Sequence, residues 1–222
     1  NDPKYDRLSE ALIKFLDDED VDSTEILFYD HNEEYKGIKL LKPLYLAIKK
    51  KQVLEINYKG FKDSSPKTYE FHPQVLKQYN RRWFVFGLNN TNKNNEWSIP
   101  LDERLIDFKI INKNYLTVKK DWNIFFRTMV GVVRPIDSEI KKIVLRFHNG
   151  RENYFKTKPF HADYDEFFED EKQNQIWFET IINKELIQQI LSYGKDVEVL
   201  EPVELKKELK IQAEKMNTFY AK

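Results

Sequence analysis

The chain has 222 residues, with 37 basic and 37 acidic side chains and no cysteine. That length admits one large domain or two small ones with a real core, and the missing thiols exclude disulfides and thiolate zinc sites and accord with a reducing cytoplasm. No apolar run approaches the ~18 residues of a spanning helix and no signal peptide is visible, so no membrane partner is expected.

Residues 1–34 carry twelve acids against three bases, a balance of −9, so the remainder sums to +9. The front is either a solvated acidic linker or a segment that docks on a basic surface. The sequence starts at Asn1 rather than Met, so the chain is treated as a candidate fragment. Apolar spacing predicts a helix over 5–17, followed by an acidic run and the short apolar stretch Ile26-Leu27-Phe28. After Gly37, Leu40, Leu41, Leu44, Tyr45, Ala47 and Ile48 outline an amphipathic helix that ends in three lysines, where cations suit the helix dipole. Strands are predicted at Val53–Tyr58, Thr68–Phe71 (closing at Pro73), Val75–Gln78, Trp83–Leu88, Glu96–Pro100 and Ile106–Ile111. The Asn-rich segment 89–95 is a hairpin loop. Short strands at this spacing predict a small curled sheet or barrel with the helix packed on it.

The texture changes after Tyr115. A short helix carries Trp122, Phe125, Phe126 and Met129, and strand and helix then alternate. The predicted order is strand 143–147, helix 151–157, strand near 160–164, strand 176–182, helix 185–193, strand 197–200 and helix 203–219. A β-α-β-β-α-β ferredoxin-like unit fits this order, with the domain boundary inside 112–136.

The run Arg81-Arg82-Trp83-Phe84-Val85-Phe86-Gly87 places two guanidinium groups before an apolar strand. Residues 59–82 hold six bases and two acids, interleaved with Tyr58, Tyr69, His72, Tyr79 and Trp83. Arginine forks for phosphate and aromatic faces for bases are the contacts a single-stranded nucleic acid needs. Alternation along the strand would also make one of Trp83 and Phe84 core and leave the arginines merely solvated; Trp83 is favoured as the core residue. An enzyme would need other groups. No nucleophile elbow, His-Glu-x-x-His pair or phosphate-cradling glycine loop is present. His161, Asp163 and Asp165 alternate as strand-borne metal ligands would, but this acid-rich stretch reads as a solvated turn. No catalytic residue, metal or cofactor is therefore expected.

Tyr45-Leu46-Ala47-Ile48, Leu54-Glu55-Ile56-Asn57-Tyr58, His72-Pro73, Arg82-Trp83-Phe84-Val85 and Leu101-Asp102-Glu103-Arg104-Leu105 together resemble a WYL domain, with Trp83-Phe84-Val85 at its signature. Pro159-Phe160-His161, the helix 185–192 and 194–202 resemble the WCX extension that commonly follows it. The resemblance spans about residues 36–205. Phe84 stands in place of the signature tyrosine, Glu103 interrupts the family's Leu-Asp-Arg-Ile run, and no helix-turn-helix precedes the barrel in this sequence.

The resemblance implies an α+β chain: an acidic helical linker over 1–36, an Sm-like, SH3-type β-barrel over 37–115, a connector over 116–135 and a ferredoxin-like C-terminal domain over 136–222. It implies the ligand-sensing and dimerisation region of a bacterial, cytoplasmic transcription regulator. DNA would then be contacted through a helix-turn-helix module outside this chain. The expected ligand is a single-stranded nucleic acid or a nucleotide, held by Tyr58, Lys67, His72, Arg81, Arg82 and Arg104. A freestanding single-stranded RNA- or DNA-binding accessory protein is the alternative, and a metal-dependent nuclease the third.

Overall fold

The computed structural model describes residues 37–161, 163–166 and 174–221. The helix expected over 5–17 and the apolar stretch at 26–28 lie outside the described residues. Helix α1 (Ile38–Lys49) buries Leu44 and Ala47 and places Lys49 in its last turn. Five strands follow: β1 (Val53–Tyr58), β2 (Lys67–Tyr79), β3 (Arg82–Asn89), β4 (Asn94–Pro100) and β5 (Leu105–Ile111). They form one antiparallel sheet in the order β4-β3-β2-β1-β5.

β2 is a single 13-residue strand where two short ones were expected on either side of Pro73. Proline has no N–H to give to a ladder. The strand absorbs it in a bulge, with Gln74 left over between the Pro73–Gly87 and Val75–Phe86 pairs. Asn80 (φ 46°) and Arg81 (φ 61°) then make the two-residue left-handed turn into β3 that tight hairpins favour. Alternation along β3 gives it two faces. Trp83 and Val85 join a first core with Leu44, Leu54, Ile56, Phe71 and Ile99, whereas Phe84 and Phe86 face away from it.

The sheet is strongly curled. Trp97 of β4 packs edge-on against Phe71 (5.8 Å) and Tyr69 (4.8 Å) of β2 and reaches Tyr58 of β1 (5.6 Å), although β3 lies between β4 and β2. Gly87, the partner of Trp97 in register, makes this possible. A Cβ there would lie 2.2 Å from the His72 carbonyl oxygen and 2.8 Å from the Phe71 ring.

The remaining elements are α2 (Trp122–Arg127), β6 (Ile140–Phe147), α3 (Arg151–Thr157), β7 (Tyr164–Glu166), β8 (Gln175–Ile181), α4 (Lys184–Leu191), β9 (Val197–Glu201) and α5 (Val203–Tyr220). A short 3-10 turn, Gly194–Asp196, precedes β9. The four strands form a second antiparallel sheet in the order β7-β8-β6-β9. A second core gathers Ile143, Leu145, Phe147, Phe155, Phe178, Leu186 and Val199. Two antiparallel sheets with packed helices make the described chain α+β. None of its helices is long and apolar enough to cross a membrane.

A third core joins the two sheets. Phe86 of β3 meets Phe125 of α2, Met129 and Val132 of the following segment, and Ile181 of β8. Asn183 fixes that segment with two donated bonds, to the carbonyls of Val130 (2.7 Å) and Val133 (2.9 Å). Its own Oδ1 accepts the Leu186 N–H at 2.8 Å and caps α4. Lys77 of β2 donates to the Gly131 carbonyl at 2.7 Å, and the Gln189 amide of α4 donates to the Tyr79 hydroxyl at 3.3 Å.

Candidate ligand site

The turn between β4 and β5 builds the centre of the site. Asp102 is 7% exposed, and its carbonyl accepts the Leu105 N–H at 3.1 Å. Its carboxylate accepts the Arg104 N–H at 3.1 Å, Arg104 Nε at 2.9 Å and Arg104 Nη2 at 2.6 Å. Arg82, at the entry of β3, brings Nη1 to 3.5 Å from the same carboxylate. Burial pushes the Asp102 carboxyl up, but the bonds from Arg104 together with the charge of Arg82 outweigh it and hold the group below the usual carboxylate range. The Arg104 guanidinium is raised in turn, first by those bonds. One buried carboxylate thus serves two guanidinium groups, and a positive charge is left over.

The loop from β1 to β2 supplies the aromatic part. Phe61 stands 74% exposed at its tip, and the Arg104 guanidinium lies 4.6 Å from its ring centre. Asp63 folds the loop by accepting the Gly60 N–H at 2.9 Å and the Lys67 amine at 2.9 Å. The Lys59 N–H donates to the Arg104 carbonyl at 2.9 Å and ties the loop to the turn. Tyr58, half-buried at the end of β1, has its hydroxyl raised by burial, with Arg104 close enough to oppose the shift.

The expected site residues therefore divide. Tyr58, Arg82 and Arg104 converge on Asp102. Lys67 pairs with Tyr58 in register and braces the Phe61 loop through Asp63. Arg81 occupies the second position of the β2–β3 turn. His72 stands elsewhere, because alternation along β2 sends Lys67, Tyr69 and Phe71 to one face and Thr68, Glu70 and His72 to the other. Its ring is fully buried. Nδ1 accepts the Leu116 N–H at 3.0 Å, and Nε2 lies 3.2 Å from Glu70. Glu70 also accepts from Asn90 at 2.6 Å and from Lys113, which holds its carboxyl down at about 2. Gln74 adds bonds to the Leu116 carbonyl (3.0 Å) and from the Val118 N–H (3.1 Å), and Tyr115 donates to the Pro73 carbonyl. His72 thus pins the segment after β5 across the back of β2.

Asp102 and Phe61 belong to this cluster, and residue-type reasoning overlooked both. A lone aromatic in the polar loop Gly60–Pro66 was the available signal for Phe61. For Asp102 it was an acid two residues ahead of an arginine.

The metal-ligand series 161–165 does not gather into a site. The His161 ring is 5% exposed and stacks on Phe178 at 4.8 Å, with Nδ1 3.1 Å from the Asp163 carbonyl. The Asp163 carboxylate instead accepts from Arg127 Nε at 2.7 Å. Among the described residues, no group of three potential ligands could hold a metal ion.

The WYL domain family model matches residues 39–97, a stretch that includes Tyr58, Phe61 and Arg82 and stops short of Asp102 and Arg104. The WCX domain family model matches residues 139–216. No curated protein sequence matches the chain. Among solved structures, it is similar to proteasome accessory factor B/C (PafBC) of Arthrobacter aurescens, at 12% identity and a TM-score of 0.34, over 79% of this chain and 26% of that one. The chain thus spans about a quarter of that protein's length.

Proposed function

We propose that this chain, which carries a WYL domain followed by a WCX domain, is the ligand-sensing and dimerisation region of a cytoplasmic transcription regulator. It acts by binding rather than by turnover. Its ligand is a single-stranded nucleic acid or a nucleotide, and the DNA-binding module lies outside this chain.

The observation that carries the proposal is the Arg82–Asp102–Arg104 cluster beneath the exposed Phe61 ring. Arg82 is about half exposed and lies 3.5 Å from its carboxylate, so its contact with Asp102 is the looser of the two. A phosphate arriving at the surface meets Arg82 first and pairs with it as a planar fork. Phe61 offers a face for the attached base, already backed by a cation. Arg104 stays committed to Asp102 and holds the floor of the site.

The four-part division 1–36, 37–115, 116–135 and 136–222 suits this role. The reach of Trp97 across the sheet to Tyr58 supports an Sm-like, SH3-type barrel for the first sheet. The β-α-β-β-α-β connectivity with strand order β7-β8-β6-β9 supports a ferredoxin-like C-terminal unit. Phe86 and Tyr79 give the barrel strands direct contact with the C-terminal unit, and Lys77 ties β2 to the connector at Gly131. A change in β2 or β3 on ligand binding therefore has a route to it, provided that the ligand favours one of two states.

The test is a titration of labelled single-stranded oligonucleotides and of cyclic nucleotides against the wild type, Arg82→Ala and Phe61→Ala. Each variant should bind about tenfold or more weakly, in line with the loss of one phosphate fork or one stacking platform. The wild-type affinity should fall linearly with log salt. Equal binding by all three proteins would remove the site, and a flat salt response would remove the phosphate.

A further inference from the structure

We infer that strand β5 is a self-complementary edge through which two copies of this chain pair, joining their first sheets into one continuous sheet. This names the surface for the homodimer reading above and rests on it. It does not depend on the ligand.

β5 is an outer strand of the first sheet, and its outward backbone groups meet no strand among the described residues. Exposed edges of this kind are normally blunted, because they template pairing with another chain. One face of this edge is apolar: Ile106 and Ile110 are 48% and 58% exposed, on either side of Phe108, which packs against the first core. The opposite face of the strand carries Asp107 and Lys109. Asp107 accepts from Asn57 at 2.6 Å, and Lys109 pairs with Glu55 at 2.6 Å.

A two-fold axis normal to the sheet is the operation that pairs a strand with its own copy in antiparallel fashion, and it keeps like faces together. Centred on Phe108, it sets Asp107 opposite Lys109 and Ile106 opposite Ile110, each pair occurring twice, with a bulge against β1 at Ile106 ending the regular register there. Apolar meets apolar and acid meets base at these two steps, the arrangement that stabilises cross-strand neighbours. Moving the axis by one residue either way would place Asp107 opposite Asp107 or Lys109 opposite Lys109.

The other sheet edges lack this symmetry. β4, centred on Trp97, would set Asn95 against Ile99 and Asn94 against Pro100, which has no N–H. β9, centred on Val199, would set Glu198 against Leu200 and Val197 against Glu201. β7, centred on Asp165, would set that carboxylate against its own copy.

The charge pairs supply a test by exchange, performed on the full chain by analytical ultracentrifugation. Asp107→Lys puts base against base across the axis, and Lys109→Asp puts acid against acid. Each variant alone should associate about tenfold or more weakly than the wild type. An equimolar mixture should regain dimer, since every cross-strand pair between the two variants is again opposite in sign. Ile110→Lys, which interrupts two apolar pairs, should also yield monomer, and it decides the matter should either charge variant prove unfolded by circular dichroism. A wild type that is monomeric overturns this surface and the homodimer reading together. A wild-type dimer that survives all three substitutions, or a mixture no more dimeric than its components, overturns the surface alone.

Discussion

Arg104 grips Asp102 with two nitrogens, Nε on Oδ1 at 2.9 Å and Nη2 on Oδ2 at 2.6 Å, over a carboxylate that is 93% removed from solvent. Such a pair is costly to break from one side, because the surviving buried charge loses its counterpart. Arg104→Ala should lower unfolding stability by about 2–4 kcal/mol, and Arg104→Lys should recover only part, since an ammonium cannot reproduce the fork. Joint replacement of Asp102 and Arg104 by alanine should cost less than the two single changes added together. Denaturant titrations of the four variants measure all of this. The Asp102 carboxyl is depressed in the folded chain, so its contribution is full above the unfolded carboxylate value and fades as pH falls through the folded one.

His72 separates structure from binding. His72→Ala removes an acceptor from the Leu116 N–H and opens a cavity at a fully buried ring, at a cost of about 2–4 kcal/mol. Oligonucleotide or nucleotide affinity of the folded fraction should stay within about twofold of the wild type, the scatter expected for a site with no shared partner. A loss of affinity as large as that of Arg82→Ala would place His72 in the ligand site after all.

Lys77 gives a basic-side signature. Burial lowers its amine to about 8, while the Gly131 carbonyl accepts from it and the Phe126 ring lies 4.3 Å away. Its folded value is below the unfolded one, so the unfolded chain holds more protons between pH 8 and 10 and stability must rise with pH there. Over that interval the wild type should gain stability relative to Lys77→Met, read as a widening difference in denaturation midpoint.

Gly87 tests the curl of the first sheet. A methyl group 2.2 Å from the His72 carbonyl oxygen cannot be accommodated by side-chain movement alone, because the obstacle is backbone. Gly87→Ala should cost about 3 kcal/mol or more and loosen the packing of Trp97. Thermal unfolding together with tryptophan fluorescence reads both effects.

Much of the architecture could be read from spacing. β1 and α3 lie where periodicity placed them, and β3, β5, β8, α4 and α5 differ from expectation by one or two residues at their ends, within ordinary fraying. β2 was misread because proline is a sound signal for a strand end, and nothing local announces a bulge that lets pairing resume after it. At the candidate site, residue type pointed to Tyr58, Arg82 and Arg104, which the fold brings together beside Asp102. It could not identify what holds them: the choice of Asp102 as counter-ion depends on how a turn and a hairpin approach one another, which is set by the curl of the sheet. The placement of His72 depends on the parity of β2, and residue type alone does not say which face of that strand its first residue occupies.

That parity has a further consequence. Before Gln74 the odd-numbered residues of β2, Tyr69 and Phe71, line the first core. After it the even-numbered Leu76 does so, and Val75 and Tyr79 turn to the third core. One unpaired residue thus acts as a frame-shift in side-chain phase, allowing a single strand to serve two interiors. Deleting Gln74 would take away no large apolar group and would leave Val75, Leu76 and Tyr79 on the faces they already occupy, because Val75 would then follow Pro73 in plain alternation against Phe86 and Gly87. What the strand would lose is the tether that the extra residue carries, since Gln74 bonds the Leu116 carbonyl and the Val118 N–H.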